Sequence, residues 1–228
     1  MMNEAELLKR IDTLEKQVQR LQDIDAIKTL QRAYGYYIEN WMSQEIIDLF
    51  SDGPDVSLTL AAGTYLGKEG VRKYFGRVDE TSPEFMHQVM QLSGIVTVDP
   101  GGTTATGRWY GFGAVAMPRG DGVSEMFMGG TYEGKYVKEE GVWKFKSLRF
   151  DAKYTATPAR GWVSPDRLAK SASVTPETRR GMTRLEVDIP RTVNSRYPSG
   201  YILPFHFKHP VTGKKTSEEE RNAKRTNP

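Results

Sequence analysis

His87 is one of only three histidines in the 228-residue chain. It stands near the start of EFMHQVMQLSGIVTVD, residues 84–99. An imidazole titrates at about pH 6.5, so a histidine in a pocket can take up and release a proton under ordinary conditions. The bland alternative is a core side chain satisfied by a backbone carbonyl, and spacing alone favours it. Phenols form a second group: Tyr34, Tyr36 and Tyr37 crowd one stretch, and Tyr132 and Tyr136 share another. A phenol can donate a proton to a departing hydroxyl or bind a substrate phenol, although each tyrosine taken singly fits a structural role better. His206 and His209 have a metal-like spacing in PFHFKHP, but no acid or cysteine stands near them, so no metal site is predicted.

Composition removes other chemistries. The chain has no cysteine, which excludes disulfides, thiolate zinc sites and cysteine nucleophiles. GGTTATG fits neither a P-loop nor a dinucleotide fingerprint, and no nucleotide or nicotinamide cofactor is implied. The opening MMNEAELLKR is polar, and no apolar run reaches the ~20 residues of a membrane span. A cytoplasmic protein with no membrane contact is expected. Net charge is +3, divided into +7 over residues 158–228 and −4 over residues 1–157. Without aromatic residues interleaved in a basic stripe, this pattern predicts no nucleic-acid partner.

The elements that must position these groups follow from periodicity. Leu7, Ile11, Leu14, Val18 and Leu21 alternate four and three apart, the spacing of a short coiled-coil seam. This N-terminal helical arm, residues 1–23, can pack on its own domain or against another subunit. From Ile24 a helical stripe runs through Ile27, Leu30, Tyr34, Tyr37, Ile38 and Trp41. Ser43 is placed to cap a short second helix, QEIIDLF. VSLTL and TYLG read as strands, and Lys68 to Phe75 as a helix. Strands are then predicted over 85–98, 104–117, 124–138 and 142–155, with PRGDG and EEG as hairpin loops. Helices followed by a long-stranded meander predict an α+β fold, a curved mixed or antiparallel sheet wrapped around the N-terminal helices, with the main domain over 24–157. Residues 158–228 hold eight of twelve prolines. With Trp162, Tyr197, Tyr201, Phe205 and Phe207 as anchors, they read as an extended wrap whose last residues are mobile.

That order of elements, ending in GGTYEGKYVKEEGVWKF, resembles the nuclear-transport-factor-2-like superfamily in its SnoaL-like branch. YGYYIENW is similar to the family's first helix, which ends in an acid, here Glu39. FMHQVMQLSGIVTVD is similar to the strand that carries its histidine. The resemblance implies a cone with an apolar pocket. In the dehydratase and dehydrochlorinase members a carboxylate orients the histidine that removes a proton, so Glu39 and His87 are expected to act as a dyad. Two departures stand out: the family's aspartate is a glutamate here, and the second histidine of the dehydratases falls at Trp109.

Counting back from Glu39 along the helix picks out Gly35, leaving room for a ligand, and Tyr36 as a proton donor beside Tyr132. Trp109, Leu60 and Tyr136 complete the expected substrate wall. The implied activity is a cofactor-independent lyase acting on a hydrophobic aromatic molecule with loss of water or formaldehyde. Similar-sized family members release formaldehyde from lignin-derived diarylpropane diols to give stilbenes. A polyketide-type cyclase, a steroid-type isomerase and a non-catalytic binding module are the alternatives. A homo-oligomer, dimer or trimer, is expected.

Overall fold

The computed structural model describes residues 3–76, 85–119, 122–157 and 187–190, with isolated positions between 204 and 223. His206, His209 and the expected aromatic anchors of the tail lie outside the described residues.

Helix α1 runs unbroken from Glu4 to Glu39. Its start is fixed by a capping box: Asn3 Oδ1 accepts from Glu6 N at 2.9 Å, and Asn3 N donates to Glu6 Oε2 at 3.0 Å. The arm and the first domain helix, read as two pieces from the shift of stripe at Ile24, are therefore one helix. The apolar stripe changes face while the backbone continues. The early stripe is exposed, with Leu21 at 67%. The later one, through Ile27, Leu30, Tyr34 and Ile38, is buried.

Helix α2 spans Ser43–Asp48. Ser43 does not cap it, because Met42 occupies the cap position and the Ser43 hydroxyl donates to Phe75 O at 2.9 Å instead. Strands β1 (Ser57–Leu60) and β2 (Gly63–Leu66) form a hairpin that leads into α3 (Gly67–Phe75). The long strands are β3 (Met86–Val98), β4 (Thr104–Arg119), β5 (Gly122–Glu139) and β6 (Val142–Ala156). With β7 (Ile189–Pro190) they give one seven-stranded sheet in the order β3-β4-β5-β6-β1-β2-β7. All pairs are antiparallel except β1 with β6, so the sheet is mixed.

The core lies between the sheet and α1. Tyr34 reaches into it and meets Phe75, Tyr132 and Phe145 edge-on, with ring centres 6.4, 6.0 and 5.8 Å apart. Nearer the middle of α1, Asp23 accepts from Lys138 Nζ at 2.7 Å, Trp143 Nε1 at 2.9 Å and Gln19 Nε2 at 3.2 Å. One described part of the tail folds back on the body. Ile189 and Pro190 pair with β2, and Asp188 Oδ2 accepts from Leu66 N at 2.7 Å.

Candidate active site

The last two turns of α1 supply one wall of the site. Arg32, Tyr36 and Glu39 recur at four and three residues and share one flank of the helix. The helix ends at Asn40, whose side chain donates to Tyr36 O at 3.1 Å. Trp41 then turns the chain with φ of 48°, a left-handed conformation that is uncommon for a bulky residue. Its indole holds that turn in place: Nε1 donates to Phe75 O at 3.0 Å, and the ring packs on Tyr74, Phe75, Phe85 and His87.

Strand β3 supplies the facing wall. Side chains alternate along a strand, so Phe85, His87, Val89 and Gln91 share the inner side while Met86, Gln88 and Met90 turn outward, as their greater exposure reflects. A groove of about 410 Å³ opens between the two walls. It is lined by Arg32, Gly35, Tyr36 and Glu39 of α1 and by Gln88, Val89, Met90, Gln91 and Leu92 of β3. The result is apolar flanks bearing one carboxylate, one guanidinium, one phenol and two amides.

The eight expected site residues divide among several places. Gly35, Tyr36 and Glu39 line the groove. Gly35 does leave room, but Gln91 uses it: a Cβ at position 35 would sit 3.0 Å from Gln91 Cγ. Tyr36 is 70% exposed, so its phenol meets solvent at the groove rim.

His87 is half-buried within an aromatic cluster. Trp41 stands edge-on to it at 5.9 Å, Phe85 is stacked at 6.4 Å, and Nδ1 is shut off from solvent. Among the described residues, no hydrogen bond or ion pair joins Glu39 to His87; the carboxylate faces the groove and the imidazole faces Trp41.

Tyr132, Trp109 and Tyr136 are buried inside the cone, and none of them lines the groove. Trp109 and Tyr136 belong to a hydrogen-bond chain that ends on the backbone of β3. Trp109 Nε1 donates to Tyr136 Oη at 3.1 Å, and Tyr136 Oη donates to Gln31 Oε1 at 2.8 Å. Gln31 Nε2 donates to Gln91 Oε1 at 2.7 Å, and Gln91 Nε2 donates to Val89 O at 3.1 Å. Burial pushes the Tyr136 phenol well above its ordinary value, against the opposing hydrogen bond from Trp109. Burial does the same to Tyr132, opposed by hydrogen bonding with Gln91 and Tyr34. Both phenols stay protonated at neutral pH. Leu60 sits at the end of β1, partly buried against the core and away from the groove lining.

Trp109 also takes a different place from the one expected. Its indole packs inward over Gly94, where a Cβ would fall 2.0 Å from the ring. The shift of register between Leu92 and Ile95, with Ser93 at φ of 51°, brings Gly94 under it.

Sequence reasoning missed Gln31, Gln91, Trp41 and Arg32 as site residues. For the two glutamines a signal existed. Gln31 falls in phase with the buried stripe of α1, and Gln91 falls in phase with His87 and Val89. An amide among residues that all turn inward needs partners, because a buried polar group is costly without them.

Residues 19–149 match the family model of the SnoaL-like domain. The chain belongs to the SnoaL-like family. Its architecture, a helix wrapped by a curved sheet, is the cone of the nuclear-transport-factor-2-like superfamily. Two solved structures agree on the fold, and a third is reported for comparison. A candidate scytalone dehydratase from Novosphingobium aromaticivorans is 18% identical, with 65% of this chain and 96% of that one covered and a TM-score of 0.50. The structure of LinA is 20% identical, with 65% and 98% covered and a TM-score of 0.50. A hexachlorocyclohexane dehydrochlorinase, LinA-type3, from Novosphingobium barchaimii is 21% identical over 65% and 99%, with a TM-score of 0.48. The SnoaL-like match leaves out most of the exposed first half of α1 and the tail.

Proposed function

We propose that this SnoaL-like chain is a cofactor-independent lyase that eliminates water or formaldehyde from a hydrophobic aromatic small molecule. The observation that carries the reading is the groove at the end of α1, where Glu39 and Tyr36 flank a space bordered by β3 from Gln88 to Leu92. Elimination needs a base and an acid at one apolar site. Glu39 supplies the carboxylate and Tyr36, one turn away, the phenolic proton. His87 lies behind the Trp41 indole, and a substrate reaches it only if that indole moves. Tyr132 supports the site from inside through Gln91. The dehydratase and dehydrochlorinase names of the structural neighbours are consistent with this chemistry.

The specific substrate class we propose is a phenolic diarylpropane diol. Tyr36 protonates the benzylic hydroxyl, which leaves as water while the para-phenol loses its proton, giving a quinone methide. Glu39 then takes the proton of the terminal hydroxymethyl group. The O–H electrons become the C=O of formaldehyde, and the C–C bond electrons form the stilbene double bond as the ring oxygen regains a proton. Stilbene, formaldehyde and water result, with no net oxidation.

The test is incubation of the full chain, Glu39→Gln and His87→Ala with a panel of such diols and related hydroxylated aromatics. Conjugated product and formaldehyde are followed together. Stoichiometric release of both by wild type, lost in the variants, supports the reading. Water loss without formaldehyde leaves a dehydratase, and an isomeric product points to an isomerase or cyclase.

A second reading is a ligand-binding module without catalysis. It is favoured by one observation, that Glu39 and His87 are not hydrogen-bonded to each other. Saturable binding of the panel with no turnover would select it.

A further inference from the structure

The first half of α1 leaves an ordered apolar stripe in solvent: Leu7, Leu8, Ile11, Leu14, Val18 and Leu21 are all 43–67% exposed. We propose that this stripe is the seam of a parallel, in-register, two-stranded coiled coil with a second copy of this chain.

The stripe is a heptad pattern, and its residue types choose the number of strands. Ile11 and Val18 fall at the a positions, and Leu7, Leu14 and Leu21 fall at d. β-Branched residues at a with leucine at d favour two parallel strands over three or four. Charge chooses the direction. Arg10 occupies g and Glu15 the following e, so a parallel pair sets Arg10 of each helix against Glu15 of the other, twice. An antiparallel pair places Arg10 by Gln17 and Glu15 by Leu8, without ionic gain.

The register is bounded as well. The next a and d positions are Asp25, Lys28 and Arg32, so the seam stops at Leu21 and the two helices part there.

The body of the molecule permits this pairing. Leu14 and Tyr34 are separated by about five and a half turns of helix. The seam therefore points away from the side of α1 that packs on the sheet, and a partner helix meets no part of its neighbour's core. A free helix this short is marginal in water. Here the buried second half of α1 and the Asn3–Glu6 capping box hold both ends, so association does not have to nucleate the helix.

The chain's lack of cysteine makes the test direct. In the full chain, Leu14→Cys is oxidised at low protein concentration beside Lys16→Cys, which lies on the outer side of the same helix. Helical content is checked by circular dichroism. The two-stranded parallel seam gives near-complete covalent dimer from Leu14→Cys and little from Lys16→Cys. A three-stranded bundle stalls with about a third of the thiols unpaired.

In the Leu14→Cys background, Arg10→Glu or Glu15→Arg alone slows cross-linking at least several-fold. Mixing the two restores it as heterodimers, distinguished by a tag on one partner. Equal cross-linking of Leu14→Cys and Lys16→Cys, a stall near two thirds, or charge variants that cross-link like their parent would each overturn the proposal. So would protection of the introduced thiol in a monomer, which would mean that the chain's own tail covers the seam.

Discussion

Gln91 Oε1 accepts a hydrogen bond from Gln31 Nε2 at 2.7 Å, and through it the groove is wired to the interior of the cone. Gln91 lines the groove on one side and abuts Gly35 on another. Gln31 is wholly buried and passes the connection to Tyr136 and Trp109. The polar atoms of these four side chains form one chain.

Gln31→Leu is expected to cost about 1–3 kcal/mol, since it strips the acceptor from a buried phenol. Tyr136→Phe should cost less in the Gln31→Leu background than in wild type, because the phenol there has already lost its acceptor and only the bond from Trp109 Nε1 remains to be lost. Urea unfolding of the two single variants and the double variant measures the coupling. Additive losses would mean that the hydrogen bond contributes little.

Asp23 gives stability a pH dependence. Burial alone would raise its pKa, but hydrogen bonds from Lys138, Trp143 and Gln19, with the charge of Lys138, hold it below the ordinary value. A depressed folded-state pKa contributes stability above the unfolded value, and that contribution fades as pH falls through the folded value. Asp23→Asn should therefore be less stable than wild type at neutral pH by about 1–3 kcal/mol. The gap should narrow on acidification below the carboxylate range. Thermal unfolding from neutral to acid pH compares the two curves, and a constant gap would contradict the assignment.

Gly94→Ala places a methyl group on the Trp109 indole. Overpacking of this kind costs about 1–3 kcal/mol. The indole must also move, so its bond to Tyr136 weakens. Unfolding midpoints combined with intrinsic fluorescence would detect the shift.

At the groove, Glu39→Gln keeps shape and removes charge. If Glu39 is the base, turnover on a productive substrate should fall about 10²–10⁴-fold while stability is unchanged. Should His87→Ala instead carry the larger loss, with Glu39→Gln nearly silent, the base is the imidazole and substrate reaches it past Trp41. The pH profile of each variant separates these outcomes.

Much of the fold was legible because long strands and amphipathic helices advertise their period. The bounds of β3 to β6 lie within a few residues of those expected, and GGTY falls inside β5 as read. The site was less legible. Spacing along α1 puts Gly35, Tyr36 and Glu39 on one flank, because helical geometry is local, and all three line the groove. Whether Trp109 and Tyr136 face a groove or close on each other depends on a bulge at Ser93 and on Gly94, features that act across strands far apart in sequence. Glu39 and His87 fell in different surroundings for a similar reason: the left-handed turn at Trp41 inserts an indole beside the imidazole. A tryptophan directly after a helix-ending asparagine does not announce such a turn.

The unbroken run of α1 has one more consequence. Arg32 stands about five whole turns beyond Leu14, and Tyr36 about five beyond Val18, so the exposed rim of the groove and the seam face the same way. In the parallel pair, the Arg32 and Tyr36 flanks of both copies look toward the shared two-fold axis from roughly 27 Å along the helix. Two groove mouths would then open on one common vestibule, and a molecule released by one subunit would leave in sight of the other.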